Sequence, residues 1–181
     1  MTLRNLFFWF YSTLAIGGTS VFLFKPVLNV NSFSQQLLVG LTLAAVTQLG
    51  FFSYLIFHWL CRGLIHNQKV FHLFLMGLLL TVLINFINFS AHQSLRYASI
   101  VLSIVLGTSI GVSYVKSKLT KWSAFLPTLF FMIVATIIES SPAFKGQVPF
   151  AILLQTISVI LFCNAWQILQ LHRWTKKSPP S

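Results

Sequence analysis

Glu139 is the one acidic residue in this sequence, and it is the first candidate for chemistry. The other charges are twelve Lys or Arg, so no pair of carboxylates is available for general acid–base catalysis. Glu139 stands in the segment 137–142, at the predicted outer end of an apolar stretch. A carboxylate at this position is expected either to pair with Arg96 or Lys145 or to extend into water.

The histidines and cysteines are the other side chains that could bind a metal ion or attack a substrate. His58, His66 and His72 surround one short polar gap, but they lack the i, i+3 or i, i+4 spacing that arranges ligands on a helix. Cys61 and Cys163 have no metal-ligand spacing and are expected to be reduced thiols. We therefore predict no metal site and no cofactor.

The residues needed for hydrolytic catalysis are scarce in this chain. It has no HExxH motif, no Asp and no second carboxylate. We therefore predict no catalytic residue and expect a protein that is not an enzyme. A membrane-embedded enzyme acting on lipid is a weaker alternative, for which Glu139 and His92 would be the acid–base pair.

Composition indicates that lipid surrounds most of the chain. Of the 181 residues, 56% are hydrophobic and only 7% are charged, whereas soluble domains carry about 25% charged residues. A helix of about 20 apolar residues crosses the hydrocarbon core of a bilayer. Six such stretches follow one another at residues 6–24, 37–59, 70–89, 97–115, 122–138 and 148–171. The sequence therefore predicts an all-α integral membrane protein, with a six-transmembrane-helix bundle as its single domain over residues 1–181.

Basic residues in short loops favour the cytoplasmic side of a membrane. Most of them fall on one side of the predicted spans, namely Arg4, Arg62, Lys69, Lys116, Lys118, Lys121, Arg173, Lys176 and Lys177. Lys25, Arg96 and Lys145 fall on the other side. Both termini of this multi-pass protein of the cell membrane are therefore predicted in the cytoplasm, where the basic rim could bind anionic lipid. Charges scattered between apolar stretches do not form a nucleic-acid-binding surface.

Polar and small residues inside the predicted spans are candidates for contacts between helices. Asn85 and Asn88 share one face of the third span and could hydrogen-bond a neighbouring helix or a ligand. Gly107 and Gly111 have the small-xxx-small spacing that allows close packing, within one chain or between copies. Pro127 is predicted to kink the fifth span. Hydrogen bonds or close packing between helices are also expected at Gln48, Gln155, Asn164, Gly17 and Gly18.

Two parts of the sequence resemble a known family. The first is the span 6–24 with its Gly-Gly pair, and the second reads Ala-Phe-Leu-Pro-Thr-Leu-Phe-Phe-Met at 124–132, Thr-Ile-Ile-Glu at 136–139 and Pro-Ala at 142–143. These segments, the length and the six-span plan resemble the KinB-signalling-pathway activation protein family of sporulating Bacillus relatives.

This resemblance implies a non-enzymatic membrane protein that promotes signalling by a sporulation sensor histidine kinase, which feeds the phosphorelay that starts spore formation. The kinase is the implied partner. The family offers no established set of functional residues, so only Glu139 and Pro127 gain weight from lying in the matching segment.

A small transporter or channel for a hydrophobic or cationic solute is the alternative from another functional class. Such a protein needs a polar site near the middle of the membrane, usually with broken helices or an inverted repeat. Gln48 and the segment 107–109 are the candidates for that site, and no repeat is found. The sequence leaves open the signal, the oligomeric state and any bound lipid.

Overall fold

Six α-helices and one short 3₁₀ helix make up the described part of the chain. The computed structural model describes residues 3–23, 33–91, 95–145 and 148–175. In chain order the helices are α1 (Leu3–Leu23), α2 (Phe33–Leu64), α3 (Gln68–Ala91), α4 (Leu95–Leu119), the 3₁₀ helix (Trp122–Ala124), α5 (Phe125–Lys145) and α6 (Phe150–Thr175). The regular secondary structure in these ranges is all helical, as the composition predicts.

Five of the helices are long and apolar enough to cross a membrane. The apolar segments are Phe33–Leu64, Gln68–Asn88, Ser99–Leu119, Trp122–Phe144 and Phe150–Leu171. The described apolar stretch of α1 is shorter, at Phe7–Phe22. Helices suit lipid because each one satisfies its own backbone hydrogen bonds where water is absent. Five of the six predicted spans therefore have a helix of the required length and composition.

Several helices extend beyond the predicted stretches. α2 begins at Phe33 and ends at Leu64, whereas the prediction placed its ends at residues 37 and 59. α5 continues through Pro142 to Lys145, whereas the prediction ended it at residue 138. The helix can extend beyond the predicted span because a proline in the last turn removes a single backbone hydrogen bond, which does not break the helix before it.

α5 and α6 form the centre of the bundle. α6 packs against α1, α2, α4 and α5, and α5 also packs against α3. Aromatic side chains connect these helices. The ring centroids of Trp9 in α1 and Phe51 in α2 are 5.0 Å apart. Phe51 in turn meets Phe131 of α5 edge to face at 5.4 Å. All three rings are almost fully buried, so they hold α1, α2 and α5 in one core.

α1 and α2 approach closely at glycines. A β-carbon on Gly40 would meet the Gly17 carbonyl oxygen and would lie 2.7 Å from Val21 Cγ2. A β-carbon on Gly17 would meet the Ala44 side chain, so neither position has room for a side chain. The close packing predicted at Gly17 and Gly18 is confirmed within the chain, because Gly18 also faces a side chain of α2.

Side-chain amides link the helices through backbone carbonyls. Gln48 Nε2 donates to the Phe10 carbonyl at 2.8 Å, which joins α2 to α1. Gln155 Nε2 donates to the Val21 carbonyl at 3.4 Å, which joins α6 to α1. The predicted role of these two glutamines between helices is therefore confirmed. In an apolar medium such bonds are worth roughly 0.6 kcal/mol each on average.

Candidate functional site

Glu139 lies inside α5, beside the middle of α2 and of α6. Its Oε2 accepts a hydrogen bond from Asn164 Nδ2 of α6 at 3.0 Å. Its Oε1 lies against Gly50 of α2, where a β-carbon would collide with the carboxylate. The prediction placed Glu139 at the end of a span that closed at residue 138, whereas α5 runs on to Lys145, so the residue lies within the helix. Its depth in a membrane stays a prediction.

The ion pair predicted between Glu139 and Arg96 or Lys145 involves two side chains outside the described part of the structure. By backbone position, Arg96 is in the first turn of α4 and Lys145 is the last residue of α5. The described partner of the carboxylate is the amide of Asn164, a fully buried side chain that also lies 3.5 Å from Thr136 Oγ1.

A cavity of about 410 Å³, termed the Glu139 cavity, lies between α2, α3 and α5. Gly50 and Glu139 line it together with Ser53, Tyr54 and mostly apolar side chains. Glu139 Oε1 is buried and has no hydrogen-bond partner among the described residues. The cavity therefore offers one strong acceptor in apolar surroundings, and its volume is within the roughly 300–1,000 Å³ range of ligand pockets.

Asn85 and Asn88 are both exposed on α3. Asn85 Nδ2 donates to the Thr81 carbonyl at 2.8 Å, one turn earlier in the same helix. Asn85 also lines a cavity of about 230 Å³ with Ile137 and Ser141 of α5. The described bond of Asn85 is thus local, and the predicted contact with a ligand or another protein stays a prediction for both residues.

Gly107 and Gly111 face open space on α4. A β-carbon on either glycine would have no neighbour within 4 Å. The predicted close packing is therefore not used within the described chain, in contrast to Gly17 and Gly40. The face is free for another helix, whether from a partner or from a second copy.

The segment from Gly107 to Gly111 also matches the letters GxSxG, a motif of serine hydrolases. In those enzymes the serine stands on a sharp turn between a strand and a helix, where it is exposed to substrate. Here the segment lies within the continuous helix α4, and Ser109 is 0% exposed. The serine is therefore not placed as a nucleophile.

Pro127 is the third residue of α5, directly after the 3₁₀ helix. A first-turn residue has little need of the backbone N–H that proline lacks, so the kink predicted at Pro127 stays a prediction. Its carbonyl oxygen accepts a hydrogen bond from Tyr54 Oη of α2 at 3.1 Å. Pro127 thus contributes a link between α2 and α5.

A second cavity, of about 240 Å³, lies where α2, α4 and α6 end and α3 and α5 begin. We term it the basic cavity, because Arg62 and Lys116 line it together with His58, His66 and His72. The three histidines around the polar gap do share one site. Among the described residues, no group of three His, Cys, Asp or Glu could hold a metal ion.

Gly50 and Lys116 are the site residues that sequence reasoning missed. Gly50 is one glycine in a long apolar stretch, and nothing in the sequence signals that Glu139 packs on it. Lys116 was assigned to a loop, whereas it is a buried residue of α4 whose Nζ donates to the Ile168 carbonyl. Only the arrangement of several helices reveals either contact.

The fold and these sites define a helical protein with several helices able to cross a membrane and with polar contacts buried between them. A family model described as KinB-signalling pathway activation in sporulation matches residues 14–174. The chain belongs to this family, and the resemblance drawn from the sequence is confirmed. The family is described by a role in signalling activation and not by a catalysed reaction.

A relative from Bacillus subtilis (strain 168) supports the same assignment. It is named KinB-signaling pathway activation protein and is 25% identical over 146 residues. The match covers 77% of this chain and 73% of the relative. No solved structure matches the chain.

Proposed function

We propose that this protein promotes signalling by a membrane-bound sensor histidine kinase in the pathway that starts sporulation, without catalysing a reaction itself. The observation that carries this proposal is the family match, which extends over residues 14–174. The name of the Bacillus subtilis relative supports the same pathway. The long apolar helices support action inside the membrane, where the spans of such a kinase would be within reach.

The protein is proposed to lie in the cell membrane as one domain with six spans. Both termini are proposed to be on the cytoplasmic side. α1 supports the sixth span because it is a helix of 21 residues that packs on α2 and α6. The excess of basic residues on one side supports the orientation. Arg62 and Lys116 come from different predicted gaps on that side and line one cavity, which agrees with this arrangement.

The proposed mechanism is packing against the spans of the kinase. An accessory protein changes the balance between two kinase conformations only if its contact free energy differs between them. The α4 face with Gly107 and Gly111 is the contact surface that we propose, because a β-carbon on either glycine would have no neighbour within 4 Å among the described residues. Ile100 and Tyr114 are exposed on the same helix, at 45% and 46%, and would frame the contact.

Replacing both Gly107 and Gly111 with leucine is expected to reduce kinase-dependent sporulation signalling about fivefold or more, a typical size for coupling between sites. The added side chains would prevent close approach of a partner helix, while their β-carbons would have no neighbour within 4 Å in the described part of the chain. A reporter gene under the control of the sporulation pathway measures the effect.

Gly77→Leu on α3 is the matched control, since a side chain there also meets nothing within 4 Å. Signalling should stay normal in this variant, and all variants should accumulate to the same level in the membrane. Normal signalling by the double leucine variant would remove this face from the mechanism.

A small transporter or channel is the alternative function, and the Glu139 cavity is the observation that favours it. The cavity places the one acidic side chain of the sequence among apolar side chains, which suits a hydrophobic or cationic solute. Cross-linking in native membranes separates the two functions. Recovery of a sensor kinase supports the signalling role, whereas self-contacts alone together with solute flux in proteoliposomes would support the transporter.

A further inference from the structure

The basic cavity gathers positive charge with no negative partner in the described structure. Lys116 is only 5% exposed, and its Nζ donates to the neutral carbonyl of Ile168 at 2.6 Å. None of the described residues that line the cavity is acidic. The chain's one acidic side chain, Glu139, lines the other cavity and accepts a hydrogen bond from Asn164. A buried ammonium group is costly unless an anion compensates it, and no described residue of the chain supplies that anion here.

Hydrogen-bond donors also surround this space. Arg62 contributes a guanidinium group on an exposed side chain, and Gln68, Ser123 and Thr128 add neutral polar groups. His58 Nδ1 is buried and has no partner among the described residues. A guanidinium and an ammonium on one cavity favour a compact oxyanion that accepts several hydrogen bonds at once.

The position of the cavity limits the source of the anion. It lies at the end of the bundle, where three long apolar helices end and two begin, and not near the middle of the helices. α3 begins at the cavity with Gln68, so the positive end of its helix dipole lies there, although Asn67 Oδ1 already accepts from the Lys69 N–H. Basic cavities between helices at a membrane surface are suited to lipid headgroups.

We infer that the basic cavity binds an anion of the phosphate class, either the phosphate of an anionic lipid headgroup or free phosphate, with Arg62 and Lys116 as its charged contacts. The cavity volume of about 240 Å³ leaves room for such a group. This inference does not rest on the proposed signalling function, because it follows from charge and geometry alone.

The test uses the full chain purified in a neutral detergent. Native mass spectrometry measures the apparent Kd for short-chain phosphatidylglycerol and for phosphatidylcholine with the same acyl chains. We expect phosphatidylglycerol to bind about tenfold or more tightly than phosphatidylcholine. The phosphate of phosphatidylglycerol carries a net negative charge and can accept charged hydrogen bonds from the protein, whereas the phosphate of phosphatidylcholine is partly neutralised by its own choline group. Inorganic phosphate is added as a competitor to separate the two sources of the anion.

Two charge variants locate the binding. Arg62→Gln should weaken binding of phosphatidylglycerol about tenfold or more, since one charged hydrogen bond is lost. Its side chain is exposed, so the variant should fold. Lys116→Gln should weaken binding similarly, but its bond to Ile168 also supports the fold, so Arg62→Gln decides the question. Lys118→Gln is the matched control, because this exposed lysine lies over the Tyr114 ring and does not line the cavity.

Each result decides for or against the site. A headgroup site is supported if phosphatidylglycerol binds selectively, if Arg62→Gln removes this binding and if Lys118→Gln leaves it unchanged. Binding of inorganic phosphate with the same dependence on Arg62, but with no preference between the lipids, supports a free-phosphate site. Equal binding of both lipids without any phosphate binding would overturn the inference, as would equal losses in Arg62→Gln and Lys118→Gln.

Discussion

Gly40→Leu should separate α1 from α2 and lower the free energy of unfolding by about 3 kcal/mol or more, the upper end of what overpacking usually costs. A side chain at this position would meet the backbone carbonyl oxygen of Gly17, which cannot rotate away as a flexible side chain would. Val21 blocks the other direction at 2.7 Å. The helices would therefore have to move apart, with loss of the Gln48 bond to Phe10 and the contact of Trp9 with Phe51.

Unfolding of the purified chain in mixed micelles with increasing dodecyl sulfate measures this loss. Gly77→Leu on α3 is again the control, because the same side chain is added where nothing lies within 4 Å. It should change the free energy of unfolding by no more than about 0.5 kcal/mol. Equal stabilities of the two leucine variants would show that α1 and α2 do not pack through Gly17 and Gly40.

Asn164→Leu should cost about 1–3 kcal/mol, because it leaves the Glu139 carboxylate buried without its described donor. Adding Glu139→Met should recover most of that loss. Two apolar side chains of similar size leave no polar group unsatisfied, and replacing both members of a buried pair is often nearly neutral. The two variants together therefore test whether the polar side chains of Asn164 and Glu139 contribute to stability only through the hydrogen bond between them.

The same dodecyl sulfate titration measures this cycle, with Asn88→Leu as the control for an exposed asparagine. The control should stay within about 0.5 kcal/mol of the original protein. If Glu139→Met added a further loss to Asn164→Leu, the carboxylate would be stabilised by a group other than Asn164. Arg96 and Lys145 would then be the next residues to test.

The sequence predicts the helices well because their signal is local. An apolar stretch of sufficient length and the basic residues beside it are both visible without any tertiary contact. The ends are less well predicted, and α5 explains why. Ser140, Ser141 and Pro142 favour a turn in water, but Ser140 Oγ donates to the Thr136 carbonyl at 2.6 Å within the helix. A helix in lipid has no water to replace its backbone bonds, so it continues through such residues.

The site residues depend on contacts that no local pattern contains. Glu139 stands out as the one acid of the chain, but its depth depends on where α5 ends. Its neighbours Gly50 and Asn164 come from α2 and α6, far away in the chain. The histidines show the reverse case, because their spacing argues against a helical metal site while the fold brings all three to one cavity with Arg62.

The central place of α6 has a consequence for biogenesis. α1, α2, α4 and α5 all pack on a helix that the ribosome makes after them. In the proposed topology, each earlier helix enters the bilayer on its own hydrophobicity, but its buried amides and glycine faces find their final neighbours only once α6 has been inserted. A nascent chain interrupted before Phe150 would therefore expose unsatisfied polar groups to lipid and become a substrate for membrane quality-control proteases.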